Sequence, residues 1–257
     1  MRASPAGADM ARRFSGVRRL YGEAAEQRFM AAHVCVAGVG GVGSWTVEAL
    51  ARSRVGRLTL IDLDMVSESN TNRQAQALEG EYGRAKVIVM AERVQAINPQ
   101  CQVHCIEDFV HAGNVAALLT PDMNVIIDAT DQTRAKTVMI AYCRELGRPV
   151  ITVGAAGGQR DPTRICRADL ALTRQDPLLA RVRAQLRRTH AFPKAPKKFG
   201  VTAIFSSEPV RYPPREACDA ALQGLSCAGF GSSVCVTACM GFAASAATLE
   251  SLLCDKK

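Results

Sequence analysis

The stretch VCVAGVGGVGS, residues 34–44, limits this chain's fold more than any other. An apolar run leads into Gly38-Val39-Gly40-Gly41-Val42-Gly43, and helical periodicity starts at Ser44. This is G-x-G-x-x-G between a strand and a helix, a context that raises it above a chance match. Glycines let the backbone approach a phosphate, and the helix N-terminus adds amide donors and positive potential. Asp62 ends the next apolar run, where an acid could bind ribose hydroxyls. To this point NAD and ATP fit equally well, and a tight turn with no ligand is the plain alternative.

Apolar runs and helical periodicity then alternate through residue 153. Strands are expected at 33–38, 57–62, 101–106, 123–128 and 149–153, with helices at 44–53, 84–97, 112–119 and 132–146. That alternation predicts an α/β, Rossmann-like doubly wound fold with a mainly parallel sheet and the ligand beyond the strands' C-terminal ends. After residue 154 the pattern changes to an elaborated C-terminal half on the same sheet. TRICRADL and VTAIFSSEPV read as strands, DPLLARVRAQLRR as a helix with an Asp cap and Pro at its first turn, and ACDAALQGLSCAGFG as irregular. Gly154–Gln159 is a second glycine-rich loop. It fits approach of a substrate to the nucleotide or a plain crossing of backbones, with nothing to choose between them.

The residues after the turn bear on which nucleotide. Asp62-Leu63-Asp64 is followed by Ser69-Asn70-Thr71-Asn72-Arg73-Gln74, then Lys86 at a helix start, then Asp128-Ala-Thr-Asp131. A dehydrogenase has no evident use for that cluster. An arginine, a lysine and acids on one sheet edge suit a triphosphate with a metal ion, which an acid could hold as magnesium. Singly, each is more often a surface or capping group; the ordered set is the signal.

The net charge of +8 suits a polyanionic partner such as RNA, though a basic surface kept for solubility fits as well. The densest basic region holds Arg183, Arg187, Arg188, Lys194, Lys197 and Lys198, either RNA-phosphate contacts or a solvated helix and loop. Among ten cysteines none forms C-x-x-C, so a structural zinc site is not expected, and most read as small buried hydrophobes in a reducing cytosol. The N-terminus lacks a signal-peptide core. Residues 234–253 are the most membrane-like stretch, read as a core helix with peripheral membrane contact as the lesser reading, so no integral membrane segment and a cytoplasmic location are expected.

G-x-G-G-x-G-S, D-x-D-x-V-x-x-S-N-x-x-R-Q, the lysine and D-x-x-D together resemble the adenylation domain of the ubiquitin-activating-type (ThiF/MoeB/HesA) superfamily, over about residues 12–153. RFSGVRRLYG, GGQRDPT, QDPL, FSSE and CAGFG extend the resemblance over nearly the whole chain, to the tRNA threonylcarbamoyladenosine dehydratase branch. The resemblance implies a single ThiF-type domain spanning residues 1–257 that uses ATP and magnesium to activate a carboxylate. Gly38, Gly40, Gly41, Val42, Gly43 and Ser44 would cradle phosphates. Asp62 would bind ribose, with Asp64 and Gln74 beside it. Asn70, Arg73 and Lys86 would contact phosphates, and Asp131 would organise the metal. Arg13, or Arg19 in its place, would reach across a homodimer. Cys227 is a further catalytic candidate. A monovalent cation (Na+ or K+) and cysteine-desulfurase or sulfur-acceptor partners are also implied. The branch's substrate is tRNA bearing threonylcarbamoyladenosine, cyclised with loss of water. Activation of a ubiquitin-like or sulfur-carrier protein's C-terminus is the alternative, and the missing zinc cysteines and the basic loop count against it.

Overall fold

The structure, a computed structural model, describes residues 9–212 and 230–254. One seven-stranded sheet runs through it. The strands are β1 (His33–Ala37), β2 (Arg57–Ile61), β3 (Gln102–Ile106), β4 (Val125–Asp128), β5 (Val150–Val153), β6 (Ile165–Asp169) and β7 (Thr202–Ser206), in the spatial order β3-β2-β1-β4-β5-β7-β6. Every pairing is parallel except β6 with β7. The expected sheet is therefore present, and the strands of the second half extend it.

Alternation along β1 explains the two covered faces. Val34 and Val36 join one core layer with Leu50, Leu60, Met90, Met240 and Ala244. Cys35 and Ala37 join the other with Ile126, Met139, Leu179 and Leu186. The first layer is supplied by α4 (Gly43–Arg52), α5 (Lys86–Ile97) and α9 (Val234–Leu253). The second is supplied by α7 (Thr133–Glu145) and α8 (Pro177–Thr189), with the short α6 (Val115–Leu118) at its edge. The helix expected at 112–119 thus shrinks to a single turn.

Three N-terminal helices were not anticipated: α1 (Met10–Arg13), α2 (Ser15–Tyr21) and α3 (Glu23–Ala31). Their polar composition hid them: few apolar residues, Phe14, Ala25 and Phe29, reach the core, and a buried ion pair joins them. Glu26, 1% exposed, pairs with Arg18 at 2.6 Å and with Arg54. Burial alone would raise the Glu26 carboxyl; the hydrogen bonds from the two arginines outweigh it and hold the group below its ordinary value.

α9 is a core helix, as expected, although by length and composition it could cross a membrane. It lies against α4 at Gly241, where a Cβ would meet Val42 O at 2.7 Å and Thr46 N at 3.0 Å. Ser245 Oγ donates to Thr46 O at 3.1 Å across the same contact. Of the eight described cysteines, Cys35, Cys101 and Cys143 are buried, and burial pushes the last two up to about 12. Cys235 and Cys254 are exposed. The expectation of mostly buried thiols is met only in part, because both flank the ends of α9.

Candidate active site

β1 is the switch point of the sheet, with β2 on one side and β4 on the other. A crevice must open beyond such a point. The turns after β1 and β4 meet there: Ala129 N donates to Ala37 O at 2.8 Å. Gly38 has φ +85°, and a Cβ on it would lie 2.8 Å from the Ala129 carbonyl and Thr130 N. A Cβ on Gly43 would lie 1.8 Å from Gly38 O. These two glycines are therefore required by the backbone packing itself.

The crevice widens into a cleft of about 580 Å³, within the usual range for small-molecule sites. The structure brings Gly38, Gly40, Gly41, Val42, Asp62, Asp64, Asn70, Arg73, Gln74, Lys86 and Asp131 into its wall. Two expected members are absent from that wall. Gly43 packs behind the turn, and Ser44 is fully buried, its Oγ accepting from Ala75 N at 3.1 Å. Cys227 lies outside the described residues.

Local hydrogen bonds fix each group. Asp62 Oδ2 accepts from Val39 N at 2.6 Å and Oδ1 from Asp64 N at 2.9 Å, which ties the acid to the glycine turn. Burial raises the Asp62 carboxyl, against the opposing pull of Lys86 and those two amides. Lys86 opens α5, and its Nζ donates to Asp64 Oδ2 at 2.7 Å. Asn70 Oδ1 accepts from Ser67 N in a capping box, which leaves its NH2 group as a donor at the cleft. Arg73 is held from both ends. Its Nη1 donates to Ser69 O at 2.7 Å, while its own carbonyl accepts from Trp45 Nε1 at 3.0 Å and Thr237 Oγ1 at 3.3 Å. α4 and α9 thus both fix the arginine.

The N-terminal ends of α4, α5, α7, α8 and α9 all contribute to the cleft wall, through Val42, Lys86, Thr133, Pro177 and Ser232 with Thr237. Their dipoles and remaining free amides add to Arg73 and Lys86, opposite Asp62, Asp64, Asp108 and Asp131 in the same wall, a mixture that suits an anion bound together with a cation. Among the described residues no group of three or more His, Cys, Asp or Glu is arranged to hold a metal. Magnesium does not need one, because it is commonly bound by one or two carboxylates plus substrate phosphates. Asp131 at the wall fits that mode.

Residues 13–252 match the model of the ThiF family. The chain belongs to the ThiF family. It is 47% identical over 247 residues to the tRNA threonylcarbamoyladenosine dehydratase of Haemophilus influenzae, covering 95% of this chain and 94% of the relative. It is 46% identical to the Escherichia coli enzyme of the same name, covering 94% and 93%. The crystal structure of that E. coli dehydratase in complex with ATP superposes with a TM-score of 0.87, covering 95% of this chain and 94% of that one. The same enzyme in complex with AMP also gives 0.87.

Other expected residues fall away from this ThiF-family cleft. Arg13 Nη1 donates to Ile97 O at 2.8 Å, capping the C-terminal end of α5, whereas Lys86 sits at the other end of that helix. Within one chain it is therefore about 18 Å, one helix length, from the cleft. Arg19 is exposed on α2. Arg183 donates to Thr173, and Arg187 donates to Pro193 O at 3.2 Å and lies over the Phe199 ring. Both are partly committed to packing. Arg188, Lys194, Lys197 and Lys198 are exposed. The lysines precede β7, which runs parallel to β5, so they sit at the opposite end of the sheet from the cleft.

Several wall residues escaped the sequence reading. Asp108, Phe109 and Val110 follow β3, where the strand-end rule could have found them. Arg181, Tyr212 and Phe230 arrive from distant segments with no local signal. Beneath the wall, Lys136 is wholly buried and donates to Asp128 O and Oδ2, both at 3.1 Å, while Asp128 Oδ2 also accepts from Thr152 at 2.7 Å. This cluster locks the ends of β4 and β5 together under Asp131.

Proposed function

We propose that this protein is an ATP-dependent tRNA dehydratase that cyclises threonylcarbamoyladenosine. The observation that carries the reading is one cleft uniting the glycine turn, Asp62, Asn70, Arg73, Lys86 and Asp131, in a chain similar along its length to dehydratases of that name.

The chemistry follows from the substrate's carboxylate, which is unreactive because its leaving group would be oxide. Its oxygen takes an adenylyl or phosphoryl group from ATP, with a P–O bond breaking to release pyrophosphate or ADP. The neighbouring ureido group then attacks the activated carbonyl, and AMP or phosphate leaves with the former carboxylate oxygen. Arg73, Lys86 and the Asn70 amide neutralise charge that builds on the phosphates. Asp62 takes the ribose, and Asp131 would hold magnesium, which would supply further charge neutralisation. Ring closure is intramolecular, so orientation provides much of the rate and no protein nucleophile is needed.

The exposed Arg188, Lys194, Lys197 and Lys198 are our candidates for contacts to tRNA phosphates, about one strand length or ~16 Å from the cleft, a distance a duplex stem spans. A homodimer is part of the proposal, with Arg19 better placed than Arg13 to serve a partner's cleft. The test is nucleoside mass spectrometry after incubation with ATP, magnesium and threonylcarbamoylated tRNA. Loss of one water from the modified adenosine, dependent on ATP and abolished in Arg73→Ala, is the expected result. Unchanged nucleoside from a folded, ATP-binding preparation would contradict it and favour activation of a carrier protein's C-terminus.

A further inference from the structure

Among the described residues, two aromatic pairs lie within the second half of the chain, and they differ in kind. Phe192 and Phe199, which flank the lysine loop, are buried and lie beneath Arg144 and Arg187. Tyr212 and Phe230 are 71% and 37% exposed, yet both line the cleft. Their ring centroids are 5.3 Å apart at an interplanar angle of 67°.

The second glycine-rich loop builds this exposed pair. Arg211 N donates to Gly158 O, and Gly158 N donates to Gly231 O, both at 2.9 Å. One glycine therefore clasps the residue after Phe230 to the residue before Tyr212. Gly158 has φ +73°, and a Cβ there would lie 2.8 Å from Arg211 O and from Val210 Cγ1. On the other side Asn72, the neighbour of Arg73, donates its Nδ2 to Ser232 O at 2.9 Å. The rings are thus tethered to the segment that carries the phosphate-binding arginine.

We infer that Tyr212 and Phe230 form a stacking platform for an unpaired purine of an RNA loop, namely the adenine whose substituent is to be activated. The inference rests on the proposed function and adds the substrate's binding subsite. Four bonds separate the purine's exocyclic nitrogen from the carboxylate carbon, a reach of about 5 Å at ordinary bond lengths. The base must therefore lie at the mouth of the cleft that holds the phosphates, which is where the pair is found. Unpaired RNA bases are commonly read by stacking on aromatic side chains. Arg181, exposed and also in the wall, supplies a cation for the adjoining backbone. Tyr212 is a positioning residue on this account.

The test uses the full chain and an anticodon stem-loop RNA carrying the modified adenosine. Tyr212→Leu should raise KM for the RNA about 10-fold, leave kcat within about 2-fold and leave ATP affinity unchanged; Tyr212→Phe should behave as wild type. Independently of turnover, the same RNA with 2-aminopurine at that position should lose fluorescence on binding wild type and Tyr212→Phe, and keep it with Tyr212→Leu. Unchanged KM and quenching in Tyr212→Leu would overturn the platform, as would a Tyr212→Leu defect that tracks a change in oligomeric state. A wild-type protein that quenches 2-aminopurine but removes no water would leave the platform standing and remove the proposed function.

Discussion

The phosphate end of the cleft and its mouth are built in opposite ways. At the phosphate end, Gly38 to Gly43, Asp62 to Gln74 and Lys86 follow one another over a short stretch of chain, and most are fixed by groups within that stretch, with Thr237 and the turn at Ala129 as outside supports. At the mouth, Gly154–Gly157, Arg181, Tyr212 and Phe230 come from segments far apart. They are joined by Gly158, by Asn72 and by Asp176, whose Oδ2 accepts from Ala155 N at 2.9 Å while its Oδ1 caps α8 at Leu179 N. The contrast matches the two things the cleft would hold under the proposed function. A nucleotide triphosphate is the same in every ATP-using enzyme, and a compact local motif suffices for it. A substituted base in RNA needs a surface assembled for it alone.

The largest expected effect lies beneath both ends. Lys136→Ala leaves the buried Asp128 carboxylate without its cation, at a cost of about 3–5 kcal/mol, read as a shift in the urea midpoint. Near-native stability would show that Thr130 and Thr152 alone satisfy Asp128. Arg73→Ala bears on the phosphate end only: turnover should fall roughly 100- to 1,000-fold, with RNA affinity little changed. An equal loss of RNA binding would erase the division between the two ends. Gly241→Ala should separate α9 from α4 and cost about 1–3 kcal/mol. Because α9 also holds Arg73 through Thr237, ATP affinity should fall with it; unchanged affinity would show that Trp45 suffices.

A smaller effect concerns acid. Glu26 is held below its ordinary carboxyl value of 4.5. A lowered folded-state value means stability that is fully present above about pH 4.5 and lost as pH falls through the folded value. Glu26→Gln should therefore lower stability at neutral pH and flatten the acid side of the stability profile below pH 4.5, without altering ATP binding. A profile as steep as wild type would place acid sensitivity elsewhere, with Glu48 and its arginines Arg52 and Arg93 the next group to examine.

The same contrast explains what the sequence could reveal. The mainly parallel sheet and the residues that meet in the cleft wall were legible because strand, turn and helix signals are local and the polar residues keep a fixed order. Gly43 and Ser44 were placed at the ligand by the motif, yet their contacts are with Gly38 O and Ala75 N, which only the folded turn displays. The N-terminal helices α1 to α3 escaped because their few core residues, Phe14, Ala25 and Phe29, are scattered among charges, one of which, Glu26, is itself buried in an ion pair. Lys136 carried no signal, since nothing in the sequence pairs it with Asp128 and Thr152. Nothing local in the sequence pairs Tyr212 with Phe230 either, although Phe230 lies in the CAGFG stretch.

The central claim is that the cleft activates a carboxylate. It is tested most directly with tRNA whose threonylcarbamoyl carboxylate carries 18O at both oxygens. The account predicts one 18O in AMP or in phosphate for each nucleoside cyclised, since the departing oxygen leaves bonded to phosphorus. Release of the label into bulk water, with unlabelled AMP and phosphate, would contradict it.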